Sequence, residues 1–158
     1  MLYLVAAVGA TGGGRSPAAV ATAADRLGAA AEVAERQGGD GADLTGFGAT
    51  NVRLHEVDVL LRLDDARAAV EAGRRIAPGA LAALGRERRA RHLVTTARAL
   101  ALTRRRDEAS TALVEVERLA PEEVRRPAVV PVVRDLLLLV PAPSLELRTL
   151  AERCGVRA

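Results

Sequence analysis

The 158-residue chain has no tryptophan, one tyrosine (Tyr3), one phenylalanine (Phe47), one cysteine (Cys154) and no lysine; all 23 basic residues are arginine. A chain so poor in aromatics cannot fill a β-sandwich or barrel, which packs with Val, Ile, Tyr and Phe. A lone cysteine excludes an internal disulfide. With only two histidines (His55 and His92) beside it, it also argues against a structural zinc site. Long hydrophobic runs are missing too. Residues 2–10 (LYLVAAVGA) are apolar but short, and no basic flank precedes them as in a secretory signal. The next longest run, Leu136–Val140, falls far below the roughly 20 residues that cross a bilayer. The expectation is a cytoplasmic chain with no membrane partner, no metal and no cofactor.

What remains is 49% apolar and 27% charged, with 33 alanines. That is too apolar for a disordered chain. Alanine, leucine, arginine and glutamate lose little on entering a helix, so this composition predicts an all-α protein. The length suits a single domain over 1–158. A net charge of +3 does not by itself indicate nucleic acid.

About eight helices follow from the periodicity and the stop signals. The first covers 2–10 and ends at Ala10-Thr11-Gly12-Gly13-Gly14. Ser16-Pro17 opens a long alanine-rich helix to about Gln37, and Gly38–Gly41 is a loop. Thr50 caps a helix to about Leu63, with Leu54, Val57 and Leu61 at helical spacing. Asp64-Asp65 turns the chain into Ala66–Ile76. Arg86–Thr103 and Glu108–Leu119 come next, and Pro121 opens a further segment that Pro127 and Pro131 kink or restart. Ser144 caps a last helix that Gly155 ends.

An internal repeat stands out. DDARAAVEAGRRIAP (64–78) and DEASTALVEVERLAP (107–121) align without gaps, matching acidic-acidic-Ala at the start and Ala-Pro at the end. Apolar positions coincide at Val70/Leu113 and Ile76/Leu119. The pattern resembles the tetratricopeptide repeat (TPR), with Ala66 and Ala109 at its small position and Pro78 and Pro121 at its terminal proline. The signature Trp, Gly and Tyr of the first helix are replaced by Thr50/Leu93, Leu54/Ala97 and Val57/Leu100, and an insert near Gly79–Gly85 lengthens the offset. The resemblance implies a TPR-like α-solenoid of antiparallel helix pairs, with units near 1–37, 47–80 and 90–123 and capping helices over 124–156.

A second resemblance covers most of the chain. FGATNVRLHEVDV (47–59), RRARHLVTTARALAL (88–102), LVEVERLAPEEVRRPAVVPVVRDLLL (113–138) and SLELRTLAERCGV (144–156) occur in this order. They are similar to the C-terminal region of actinobacterial, XRE-type helix-turn-helix transcriptional regulators that carry a TPR-like domain. Ala49 stands where that family typically has proline, and the family's N-terminal DNA-binding domain is absent from this sequence. The likeness implies a non-catalytic regulatory or protein-interaction domain. It would sense an effector or dimerise, take a protein or peptide partner, and meet DNA only through a separate domain. The alanine–arginine excess fits the base composition of such genomes.

In a repeat of this type, polar stripes on first helices line a groove for partners. Asn51, His55 and Asp58 form one such stripe, and Arg91, Val94 and Arg98 form the matching one. Two other readings compete. Gly9–Gly14 after an apolar segment invites a nucleotide-binding enzyme, which needs a strand over 2–8. The spacing misses, because Thr11 occupies the second glycine's place and no acidic strand end follows. Arg86–Arg106 holds eight arginines and one glutamate, a local charge suited to phosphates. It lacks aromatics for base stacking, and acidic helices flank it, so intramolecular pairing is an equal alternative.

Overall fold

A computed structural model describes residues 2–12, 15–36 and 48–156. Among these residues there are ten helices and no strand. The expected loop at Gly38–Gly41, together with Gly13, Gly14, Gln37 and Phe47, lies outside the described residues. The chain divides into two compact units, Met1–Leu81 and Ala82–Ala158. The boundary falls in the stretch read as a repeat insert. That insert is not all loop: Pro78 opens a short helix, α5 (Pro78–Ala83). With the four-residue α8 described below, it raises the expected eight helices to ten.

The first unit holds α1 (Leu2–Gly9), α2 (Pro17–Arg36), α3 (Ala49–Arg62) and α4 (Ala66–Arg74). The Ser16 hydroxyl accepts from the Ala19 N–H at 3.1 Å, with Pro17 as the first helical residue. Thr50 does not cap α3. The helix starts two residues earlier than that cap would place it, at Ala49, with the extended Gly48 as its N-cap and Thr50 buried in the first turn. α1 is the first apolar helix expected. Its Leu4 packs with Ala30, Ala34 and Val52, and its Ala7 with Ala23, Val59 and Leu63. Early α2 thus groups with late α3, and late α2 with early α3. The two helices run antiparallel, and α1 lies along their seam.

The second unit holds α6 (Arg86–Leu102), α7 (Arg106–Leu119), α8 (Pro121–Val124), α9 (Val130–Leu139) and α10 (Leu145–Arg153). α6 buries Ala90, Ala97, Ala99 and Leu100, and α7 buries Ala109, Ala112, Leu113 and Val116. α9 contributes Val132, Val133, Leu136 and Leu137, and α10 contributes Leu147, Leu150 and Ala151. The chain leaves helix between Val124 and Val130, and Pro131 sits in the first turn of α9, so the two prolines restart the helix rather than kink it. The Ser144 hydroxyl accepts from the Leu147 N–H at 3.2 Å, and Gly155 ends α10 with φ +71.

Two hairpins, α3–α4 and α6–α7, carry the repeat, and their backbones correct its register. After α3 the N–H groups of Leu63, Asp64 and Asp65 donate to the carbonyls of Val59, Leu61 and Leu60. After α6 those of Thr103, Arg104 and Arg105 donate to Ala99, Ala101 and Leu100. Asp64 (φ 57) and Arg104 (φ 63) are the left-handed residues of the two turns. The turns therefore correspond at an offset of 40 residues, whereas the Ala-Pro pairs correspond at 43. α7 is more than one helical turn longer, having 14 residues against 9 in α4. The acidic pair Asp107-Glu108 lies inside the first turn of α7 and does not form the turn. The partner of Ala109 in this register is Ala69: both are fully buried, while Ala66 is only half-buried.

This register predicts unequal penalties for enlarging three alanines. Ala69→Leu and Ala109→Leu should each lower stability by about 1–3 kcal/mol through overpacking, and Ala66→Leu by less than about 1 kcal/mol. Urea unfolding of the three variants checks it. A penalty at Ala66 equal to that at Ala109 would restore the register read from residue types.

Candidate functional site

An apolar groove of about 400 Å³ runs along the α2–α3 seam in the first unit. α2 lines it with Val20, Ala23, Ala24, Leu27, Gly28 and Ala31, one face at i, i+4 and i+8 spacing. α3 supplies Ala49, Val52, Val59, Leu60 and Leu63. Ala23, Val52, Val59 and Leu63 are buried and form the floor. The charged lining residues are Glu35, Arg53 and Glu56. Glu56 is already held by Arg53 at 3.0 Å and by Arg75 at 3.7 Å. No Ser, Thr, Cys or His lines the groove.

The stripe expected to line a groove lies one residue away around α3. Asn51 is buried, with 8% of its surface exposed. His55 is half-buried, and Asp58 pairs with Arg62 one turn on at 2.8 Å. Of the matching stripe in the second unit, Arg91 and Arg98 are exposed and Val94 is half-buried. The two stripes belong to different units and are described separately. The residues missed were the small ones of α2. Their signal was present in the sequence as alanine and glycine recurring on one face.

The Arg86–Arg106 cluster spends much of its charge within its own unit. Arg86 pairs with Glu122 at 3.6 Å, Arg89 with Glu115 at 3.3 Å, and Arg105 with Glu108. Arg91, Glu87, Arg126 and Glu123 close a ring. Arg91 pairs with Glu87, and its Nε lies 3.7 Å from Glu123, while Arg126 reaches Glu123 at 2.9 Å and Glu87 at 3.9 Å. Glu123, on α8, is only 2% exposed, so its carboxylate needs these two guanidiniums in place of water. Arg98 and Arg104 stay exposed, and the Nε of Arg106 is buried without a hydrogen-bond partner.

Two further groups complete the inventory. Burial pushes the His92 imidazole below its usual pKa, and its Nε2 lies 3.5 Å from the Thr96 hydroxyl. Burial, reinforced by the Glu117 charge, pushes the Cys154 thiol up. That thiol faces the Val124 carbonyl at 3.5 Å, and a protonated thiol is a poor nucleophile. The strand that a Gly9–Gly14 nucleotide site requires is instead helix α1. Among the described residues no group of three His, Cys, Asp or Glu is placed to hold a metal ion. No helix among them is long and apolar enough to cross a membrane. No family model, curated protein or solved structure matches the chain.

Removing the buried carboxylate tests the ring. Glu123→Ala should destabilise the protein by about 1–2 kcal/mol in urea unfolding, because Arg91 and Arg126 rehydrate but α8 loses its anchor. Glu122→Ala, at an exposed pair, should cost less than about 0.5 kcal/mol. Equal effects would show that burial of Glu123 adds nothing. His92 gives a pH dependence. Its folded pKa lies below its unfolded value of 6.5, so the unfolded chain binds the proton first and the contribution falls as pH drops below about 6.5. The stability difference between the native protein and His92→Gln, followed from pH 7.5 to 5, should shift against the native protein. A difference independent of pH would refute it.

Proposed function

We propose that this chain is a non-catalytic regulatory and protein-interaction domain, of the kind that helix-turn-helix regulators carry, and that the α2–α3 groove receives a helical segment. The groove supports this by its shape. The lining residues span about four turns of each helix, roughly 20 Å at 1.5 Å per residue. Small and aliphatic side chains of the two helices face each other along that length. An elongated, aliphatic-lined slot suits the ridge of an apolar helix. The internally paired rim adds no net demand for a charged ligand beyond Glu35. On this reading DNA is contacted through a separate helix-turn-helix domain or partner.

A direct nucleic-acid role has one observation in its favour, the exposed Arg98 and Arg104. Against it stand Arg86, Arg89, Arg91 and Arg105 of the cluster, which pair with carboxylates. Gel-shift titration of this chain against duplex DNA separates the two. The interaction-domain reading expects no retention at physiological salt. Retention that falls steeply with added salt, and is lost in Arg98→Ala/Arg104→Ala, would make the chain itself the DNA binder.

A further inference from the structure

α1 is apolar on every side and carries no charge. Its inner ridge, Leu4 and Ala7, is fully buried against α2 and α3. Its outer ridge is not: Leu2 is 85% exposed, Val5 62% and Tyr3 41%. A helix that is hydrophobic all round ordinarily has cover on both sides. The same unit thus holds an uncovered apolar ridge and an uncovered apolar groove. α1 cannot satisfy its own groove, because Leu4 and Ala7 already fix it along the seam.

We propose that the occupant of the groove is the outer ridge of α1 from a second copy of this chain, Leu2 and Val5 entering between α2 and α3. This rests on the reading of the groove as a helix-docking site. Continuity with the packing already present favours it. Ala23, Val52, Val59 and Leu63, which floor the groove, are the side chains that hold the chain's own α1. A second α1 extends that apolar packing onto the exposed lining beside it, Val20, Ala24 and Gly28. Charge agrees: α1 brings none, and the groove's central carboxylate, Glu56, is neutralised by Arg53 and Arg75. Length permits it as well, since the eight residues of α1 span about 12 Å, within the groove's roughly 20 Å. Each copy offers one ridge and one groove, two different surfaces.

The test uses the whole chain and two variants at exposed positions, Val5→Glu on the ridge and Ala24→Arg in the groove. Light scattering coupled to size exclusion should give the native protein a concentration-dependent mass above one chain. Each variant should weaken association at least tenfold while keeping native helical circular dichroism. Mixing the two should restore a complex of two chains and no larger, because one variant retains the groove and the other the ridge. The proposal is overturned if the native chain stays monomeric into the hundred-micromolar range, if either variant associates like the native chain, or if the mixture stays monomeric. A fluorescent Leu/Ala/Gln helical peptide separates this failure from that of the groove itself. A monomeric chain that binds this peptide, and loses it in Ala24→Arg, refutes self-docking alone. A chain that neither associates nor binds the peptide refutes both readings.

Discussion

Side-chain size at the helix crossings governs this fold. Without tryptophan, and with one phenylalanine and one tyrosine in 158 residues, the chain has few large rings with which to bridge two helices. The largest fully buried side chains are leucines and valines, and alanines at Ala7, Ala23, Ala30, Ala34, Ala69, Ala97, Ala99 and Ala109 are buried among them. A buried methyl contributes about 0.8 kcal/mol, against roughly 1.5–3 kcal/mol for a buried leucine. Such a core gains its dispersion energy only where backbones come close enough for each alanine to touch many atoms. The helical hairpins follow from that requirement. Ala69 and Ala109 lie fully buried at equivalent places in the second helices, five residues past the left-handed turn residue in each case.

Charge takes over where the helices are too short to bury much. α8 has only four residues, of which Glu123 and Val124 are buried. Val124 alone gives it little hydrophobic hold. Glu123 supplies the rest by accepting Arg91 from α6 and Arg126 from the segment that follows. This explains why an arginine-rich helix is followed by glutamates at 115, 122 and 123 in a chain whose net charge is only +3. The same pairing lowers the density of free cations that a phosphate backbone could exploit.

Features specified by local chemistry were legible in the sequence. Ser16-Pro17, Ser144 and Gly155 act within one turn of their own position, and each does what its chemistry dictates. The repeat was legible as a repeat but not in its register. Asp64-Asp65 and Asp107-Glu108 look alike as text, whereas the residues that occupy the same backbone positions as Asp64-Asp65 are Arg104-Arg105. A left-handed arginine is unusual and gives no sequence signal. Pro78 was read as a stop although proline is equally suited to a helix's first position, which is how α5 begins. The groove was sought on a polar stripe, on the premise that polarity marks exposure. It lies instead where side chains are too small to close the seam.

That last point ties the groove to the core. Alanine and glycine at 23, 24, 28 and 31 let α2 lie against α3 and α1, and the same smallness leaves the outward side of the seam unfilled. A leucine or phenylalanine at position 24 or 28 would close it, and a Cβ at Gly28 would meet nothing within 4 Å. An alanine-rich helix facing a Val/Leu-rich one therefore produces a buried floor and an open slot from one composition. No dedicated binding residues are required, and none with a hydroxyl, thiol or imidazole line the slot. Selectivity in such a slot comes from the size and spacing of the side chains that enter it. A ridge with apolar residues at i and i+3, as Leu2 and Val5 are on α1, matches a seam whose α2 wall repeats at i, i+4 and i+8.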